Sequence, residues 1–269
     1  MTGPAPRPSR KLDKRGNTAL TKGHAGARHP GTGPVPVEPG PAAMSGGILF
    51  YGDAHGEWRP LLRACEEHRP ELVVLLGDCD LKLPLREQLR PVLALGVRVR
   101  WIPGGHDAAS PEMYDRLWGD HPEGNLHASW TRVGGCVVAG LGGVFKERVW
   151  HPRGGAVPAA HHTRRDYMRH LPQGDRWRDG VPLRLRDAIF PEDVDALRRV
   201  EADVLVTHEA PACHPLGFMG IDAVADAVGA GLVVHGRHHE SAVGYTASGA
   251  TVRGLGRAEA FLLRPGGLP

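Results

Sequence analysis

Apolar positions in this chain fall into short, evenly spaced runs: Ile48–Tyr51, Leu72–Leu76, Val97–Ile102, Cys136–Gly140, Asp203–Val206 and Leu232–Val234. Near-continuous apolar runs of four to six residues are the pattern of strands covered on both faces. Between several of them lie stretches with helical character, at 57–67, 84–95, 191–200 and 221–229. Strand alternating with helix predicts an α/β fold with parallel pairing. The C-terminal stretch 241–263 breaks into short runs interrupted by Gly, which predicts an antiparallel meander.

Composition divides the chain. Residues 1–46 are rich in Pro, Gly, Arg and Lys and poor in large apolar side chains. They cannot bury enough surface to offset their ordering entropy and are expected to be disordered. Residues 47–269 form the folded domain, with an irregular insertion at 146–182 that reads either as a lid over a site or as a solvated surface loop. The net charge is +3, but residues 1–47 hold seven Lys/Arg against two acids, so the remainder is slightly acidic. The body's charge therefore gives no support to nucleic-acid binding. A nuclease using the basic tail stays as a third-ranked alternative. The four cysteines (Cys65, Cys79, Cys136, Cys213) lack the close pairing of a zinc ribbon or disulfide framework, and a reduced, cytoplasmic setting is expected. No apolar run reaches the roughly 20 residues of a membrane span.

Candidate chemistry sits where the strands end. Asp53-Ala54-His55 follows the first strand and Gly77-Asp78 the second. Gly105-His106-Asp107 follows the third, Thr207-His208 a later one, and Gly236-Arg237-His238-His239 the last of the series. Each cluster taken alone reads as a turn or cap. Five strand ends that each deliver Asp or His point to one converged site, because parallel sheets bind ligands beyond their strand carboxyl ends.

The words ILFYGDAHG, VVLLGDCD, WIPGGHD, VLVTHEAP and VVHGRHH, in that order, resemble the calcineurin-like metallophosphoesterase superfamily from Ile48 to about Glu240. The resemblance implies a four-layer αββα sandwich of two mixed sheets and a phosphoester substrate. It also implies a centre for divalent transition metals (Mn, Fe, Zn or Ni). Asp53, His55, Asp78 and His239 would hold the first metal. Asp78 would bridge to a second, which His208 would also bind. Two cations roughly 3.5–4 Å apart clamp a phosphoryl group and acidify water. His106 would protonate the leaving group or stabilise charge, with Asp107 orienting its imidazole.

Two positions depart from the family pattern. Gly105 stands where the family has Asn, and Arg237 where it has His. Both losses fall on the second metal. Three accounts remain open. The second metal binds through waters with His238 or Glu209; Arg237, permanently charged and able to grip phosphate, replaces it; or hydrolysis is lost and the protein binds a phosphorylated ligand or partner. Gly104-Gly105 also has a plain reading as a flexible turn. Asp80 reads as a partner for His55 or His106, or as a loop carboxylate. The tryptophans read as packing residues.

Overall fold

The computed structural model describes residues 46–155, 157–264 and 266–267. The disorder expected for 1–46 falls outside these residues, apart from Gly46. Ten strands run in chain order: β1 (Ile48–Tyr51), β2 (Leu72–Leu75), β3 (Arg98–Trp101), β4 (Ser129–Val133), β5 (Cys136–Leu141), β6 (Val204–Thr207), β7 (Leu232–His235), β8 (Ala242–Tyr245), β9 (Thr251–Gly254) and β10 (Ala260–Leu263). They form two mixed sheets, one ordered β10-β1-β2-β3 and the other β4-β5-β6-β7-β9-β8. In the first, β1, β2 and β3 are parallel and β10 is antiparallel to β1. In the second, β5, β6, β7 and β9 are parallel, with β4 and β8 antiparallel at the edges.

The apolar runs explain the layering. Ile48, Phe50, Leu72, Val74, Val204, Val206, Leu232 and Val234 share one cluster with residues of both sheets. Their alternate neighbours Leu49, Val73 and Leu75 face outward into a second cluster, beside Leu61 and Cys65 of α1 (Arg59–His68) and Val92. On the opposite flank, Leu205 and Val233 pack against α6 (Pro191–Leu197) and α7 (Met219–Val228). A strand with both faces buried must be apolar at every position, and β1, β2, β6 and β7 are buried at all four positions each. The result is the expected αββα sandwich.

Three local expectations are revised. The helix read over 84–95 is two pieces, α2 (Leu85–Gln88) and α3 (Arg90–Ala94). Leu89 between them leaves helical geometry, and Pro91 opens the second piece, the position where a missing N–H costs nothing. The meander read over 241–263 holds only for the β8–β9 hairpin; β9 runs parallel to β7, and β10 crosses to the other sheet. Finally, the irregular insertion packs into a small core, in which its Val149 and Val181 meet Leu185, Ala188 and Phe190 just beyond it. Past the short α4 (Pro111–Tyr114), its helix α5 (Arg164–Arg169) anchors to α6, because Arg164 reaches both oxygens of buried Asp193 at 2.6 and 2.9 Å.

Candidate metal centre

Sheet register brings the five clusters together. Tyr51, Leu75 and Trp101 are aligned across the first sheet, and Leu141, Thr207, His235 and Gly254 across the second. The loops that carry Asp53, Asp78, His106, His208 and His239 therefore leave the same edge of the sandwich. Several site residues sit in left-handed backbone: His55 (φ 40°), Asp78 (48°), Asp80 (46°), Arg237 (63°) and His239 (56°). For residues with a Cβ this conformation is unfavourable, and its concentration at one locus marks backbone held for a purpose.

The donors converge in three overlapping groups: Asp53, His55 and His239; Asp53, Asp78 and His208; and His55, Asp80 and His106. His55 Nε2 lies 3.0 Å from His239 Nε2, and His239 Nε2 lies 3.1 Å from Asp53 Oδ2. His208 Nε2 is 3.5 Å from Asp78 Oδ2. Tautomers are fixed from behind. The Leu76 carbonyl can only accept, so His208 Nδ1–H donates to it at 2.8 Å and leaves Nε2 facing the centre. His55 Nδ1–H donates to Asp80 Oδ2 at 2.8 Å, which aims Nε2 inward.

Asp53 is wholly buried, and neither of its oxygens has a hydrogen-bond partner; His208 Nε2 is equally orphaned. A buried carboxylate left unpaired costs several kcal/mol, so this donor set calls for a positive charge. The same demand appears in the protonation balance. Burial opposes a charged His208, but the Asp78 and Asp53 carboxylates raise its pKa to about 10. Burial would raise Asp78, yet His208 and the backbone N–H of His106 hold it well below the usual carboxylate range. Oxygen and imidazole donors of this kind suit divalent first-row metals, and the residues present fit such an ion.

Two glycines make the carboxylate positions possible. A methyl at Gly236 would collide with Asp53 Oδ1, and one at Gly104 with Asp78 Oδ1. Gly104 is thus a steric requirement and not merely a flexible turn. Gly105 differs, since a Cβ there would meet Arg237 Nη1 at 3.4 Å, close but without overlap. Arg237 Nε in turn lies 3.0 Å from Oε2 of the buried Glu209, whose Oε1 accepts from Phe145 N–H. The two departures from the family pattern are therefore neighbours in space, and an ion pair stands beside them. His238 stacks on His214 with ring centroids 4.0 Å apart, outside all three donor groups.

His106 is exposed, with its own N–H donating to Asp78 Oδ1 at 2.8 Å. Asp107, expected beside the His106 ring, sends its oxygens elsewhere: they accept from the backbone N–H groups of Asp78, Cys79 and Gly104. Burial, with the Asp78 carboxylate nearby, pushes the Asp107 carboxyl up to about 6. The carboxylate that faces the His106 ring is Asp80, 3.6 Å from Nδ1. Asp80 and Glu209 are the residues whose place sequence reasoning undervalued. The signal for Asp80 was its spacing two residues beyond Asp78, within the same loop.

A two-sheet sandwich with carboxylates and imidazoles gathered at its strand carboxyl ends defines a metallophosphoesterase. The sequence model of the calcineurin-like phosphoesterase family matches residues 47–241, and the chain belongs to that family. It is 39% identical over 197 residues to an uncharacterized protein of Haemophilus influenzae, across 72% of this chain and 84% of that protein. Among solved structures, it is similar to TT1561 of Thermus thermophilus, with 16% identity, 78% and 89% of the two chains covered and a TM-score of 0.48. It is also similar to a 5′-nucleotidase from Candida albicans, with 12% identity, 80% of this chain and 47% of that one covered and a TM-score of 0.43.

Proposed function

We propose that the protein is a metal-dependent phosphoester hydrolase that works with one tightly held divalent cation and uses Arg237 where its relatives hold a second. The observation that carries this reading is the orphaned Asp53 carboxylate, buried and surrounded by His55, Asp78, His208 and His239. A cation bound there supplies Lewis-acid polarisation of the phosphoryl group and acidifies water.

The chain's own residues account for the rest. Asp53, His55, Asp78 and His239 would hold the cation, with His208 Nε2 turned toward Asp78. Arg237 brings a fixed positive charge to the other side of the phosphoryl group, and its terminal nitrogens can bond phosphate oxygens as a pair. Glu209 grips Nε and so orients that fork. A water oxygen forms a bond to phosphorus as the bond to the leaving-group oxygen breaks. His106, exposed at the rim, delivers a proton to that oxygen, with Asp80 Oδ1 3.6 Å from its Nδ1; the attacking water's proton returns to the imidazole. Asp107 acts indirectly by tying together the loops that carry Asp78 and His106.

The test is turnover of an aryl phosphate monoester and diester by the purified chain, first treated with chelator and then supplied with Mn, Zn or Ni. Activity that vanishes with the chelator and returns with a divalent ion supports the reading. Phosphate binding without turnover under every metal, with turnover restored by Gly105→Asn plus Arg237→His, would instead identify a binding relative that has lost hydrolysis.

A further inference from the structure

A cavity of about 520 Å³ adjoins the metal centre and has no part in the hydrolysis described so far. Gly105, Ala108 and Ala109 line one side, from the loop that carries His106; Arg176 and Trp177 of the insertion and Arg184 just beyond it line the other. The volume lies within the roughly 300–1,000 Å³ of small-molecule sites. Gly105 is the joint between cavity and centre, because it lines the first and touches the space of Arg237 in the second. With Asn at this position, a side chain would stand in that passage. With Gly, that space is free, and the cavity lies one residue's width from Arg237.

The charge of the insertion indicates what the cavity receives. Residues 146–182 carry 8 Lys/Arg against 4 Asp/Glu, while the rest of 48–269 carries 18 against 24. A cationic segment lies on an otherwise acidic body. Several of its cations are already matched: Arg164 to Glu192 and Asp193, Arg178 to Asp115, and Lys146 to Asp187 at 2.5 Å. Arg176 and Arg184, which line the cavity, have no carboxylate within ion-pair distance among the described residues, although Arg176 Nη2 donates to the Met168 carbonyl at 3.1 Å. The remaining lining acid, exposed Asp175, offsets only one of them. The Trp177 ring is already engaged by the guanidinium groups of Arg178 and Arg186, at 4.3 and 5.1 Å from its centroid. It serves as a stiffened wall rather than a platform for stacking a base.

We propose that this cavity is the leaving-group subsite, and that it selects phosphoesters whose leaving group carries a second anionic group, a carboxylate or a phosphate. The inference rests on the hydrolase reading above. In the reaction, water's oxygen bonds to phosphorus, the phosphorus–oxygen bond to the leaving group breaks, and the leaving group departs protonated on that oxygen with its anion held by Arg176 and Arg184.

A matched pair of substrates tests it on the metal-loaded full chain: phenyl phosphate and 4-carboxyphenyl phosphate, which differ by one carboxylate. The expected result is a KM about tenfold lower for the carboxylated ester. The double variant Arg176→Ala plus Arg184→Ala should erase that preference while changing phenyl phosphate kinetics by less than about twofold. Equal KM values in the natural chain, or a preference that survives the double variant, would overturn the subsite. Absence of turnover of either ester would sink the hydrolase reading alone. Calorimetry with benzylphosphonate and 4-carboxybenzylphosphonate then decides the subsite by the same about tenfold ratio in Kd, lost in the double variant.

Discussion

The two halves of the centre meet the same problem, buried charge, in opposite ways. On one side, Asp53, His55, Asp78 and His239 form a set of donors in which the Asp53 oxygens accept no hydrogen bond and face imidazoles, nearest His239 at 3.1 Å. On the other, Glu209 has the permanently charged Arg237 3.0 Å from Oε2 and the Phe145 N–H on Oε1, and Gly105 leaves space beside the pair. An unpartnered buried carboxylate demands an external cation; a buried carboxylate facing a guanidinium does not. On the proposed one-ion reading, Arg237 would keep a positive charge, +1 in place of a divalent ion's +2, at the phosphoryl position. Gly105 and Arg237, the two departures from the family pattern, lie side by side.

The sharpest way to break that comparison is to remove the demand itself. Asp53→Ala should abolish tight metal binding and lower kcat on the order of 10³-fold, equivalent to about 4 kcal/mol; metal content and turnover check it together. Next is His106→Ala, expected to lower kcat about 100-fold with metal content unchanged. Unaltered turnover would remove His106 from the chemistry. The two glycines sharpen the contrast further. Gly236→Ala pushes a methyl into Asp53 Oδ1 and should weaken metal affinity roughly 10–100-fold, whereas Gly105→Ala, which meets no such obstacle, should leave metal affinity unchanged in the same titration. The smallest effect belongs to Glu209→Gln. Loss of the charged anchor should raise KM roughly fivefold, about 1 kcal/mol, without altering metal content.

Much of this could be read before any coordinates. The apolar runs located β1, β2, β3, β5, β6 and β7 to within two residues: all but β3 are near-continuously apolar and buried, while β3 alternates Arg98 and Arg100 with buried Val99 and Trp101. The edge strand β4 left no such mark, since Ser129–Val133 mixes exposed, half-buried and buried positions. The pairing of β10 with β1 joins residues about two hundred positions apart, and no local pattern encodes it. In the site, the aligned strand ends made the donor positions readable one by one. What stayed hidden was contact between side chains. Asp107 and Asp80 lie in similar loops, yet only the structure reveals that one holds backbone N–H groups and the other faces imidazoles. Likewise, nothing in the spacing of Gly105 and Arg237 announces that they touch.

The most direct test is a count of metal ions per chain. Elemental analysis of the purified protein, after equilibration with excess Mn or Zn and removal of loosely bound ions, should give one tightly held ion. The Gly105→Asn plus Arg237→His variant should give two. A natural chain that retains two ions with Arg237 in place would contradict the account.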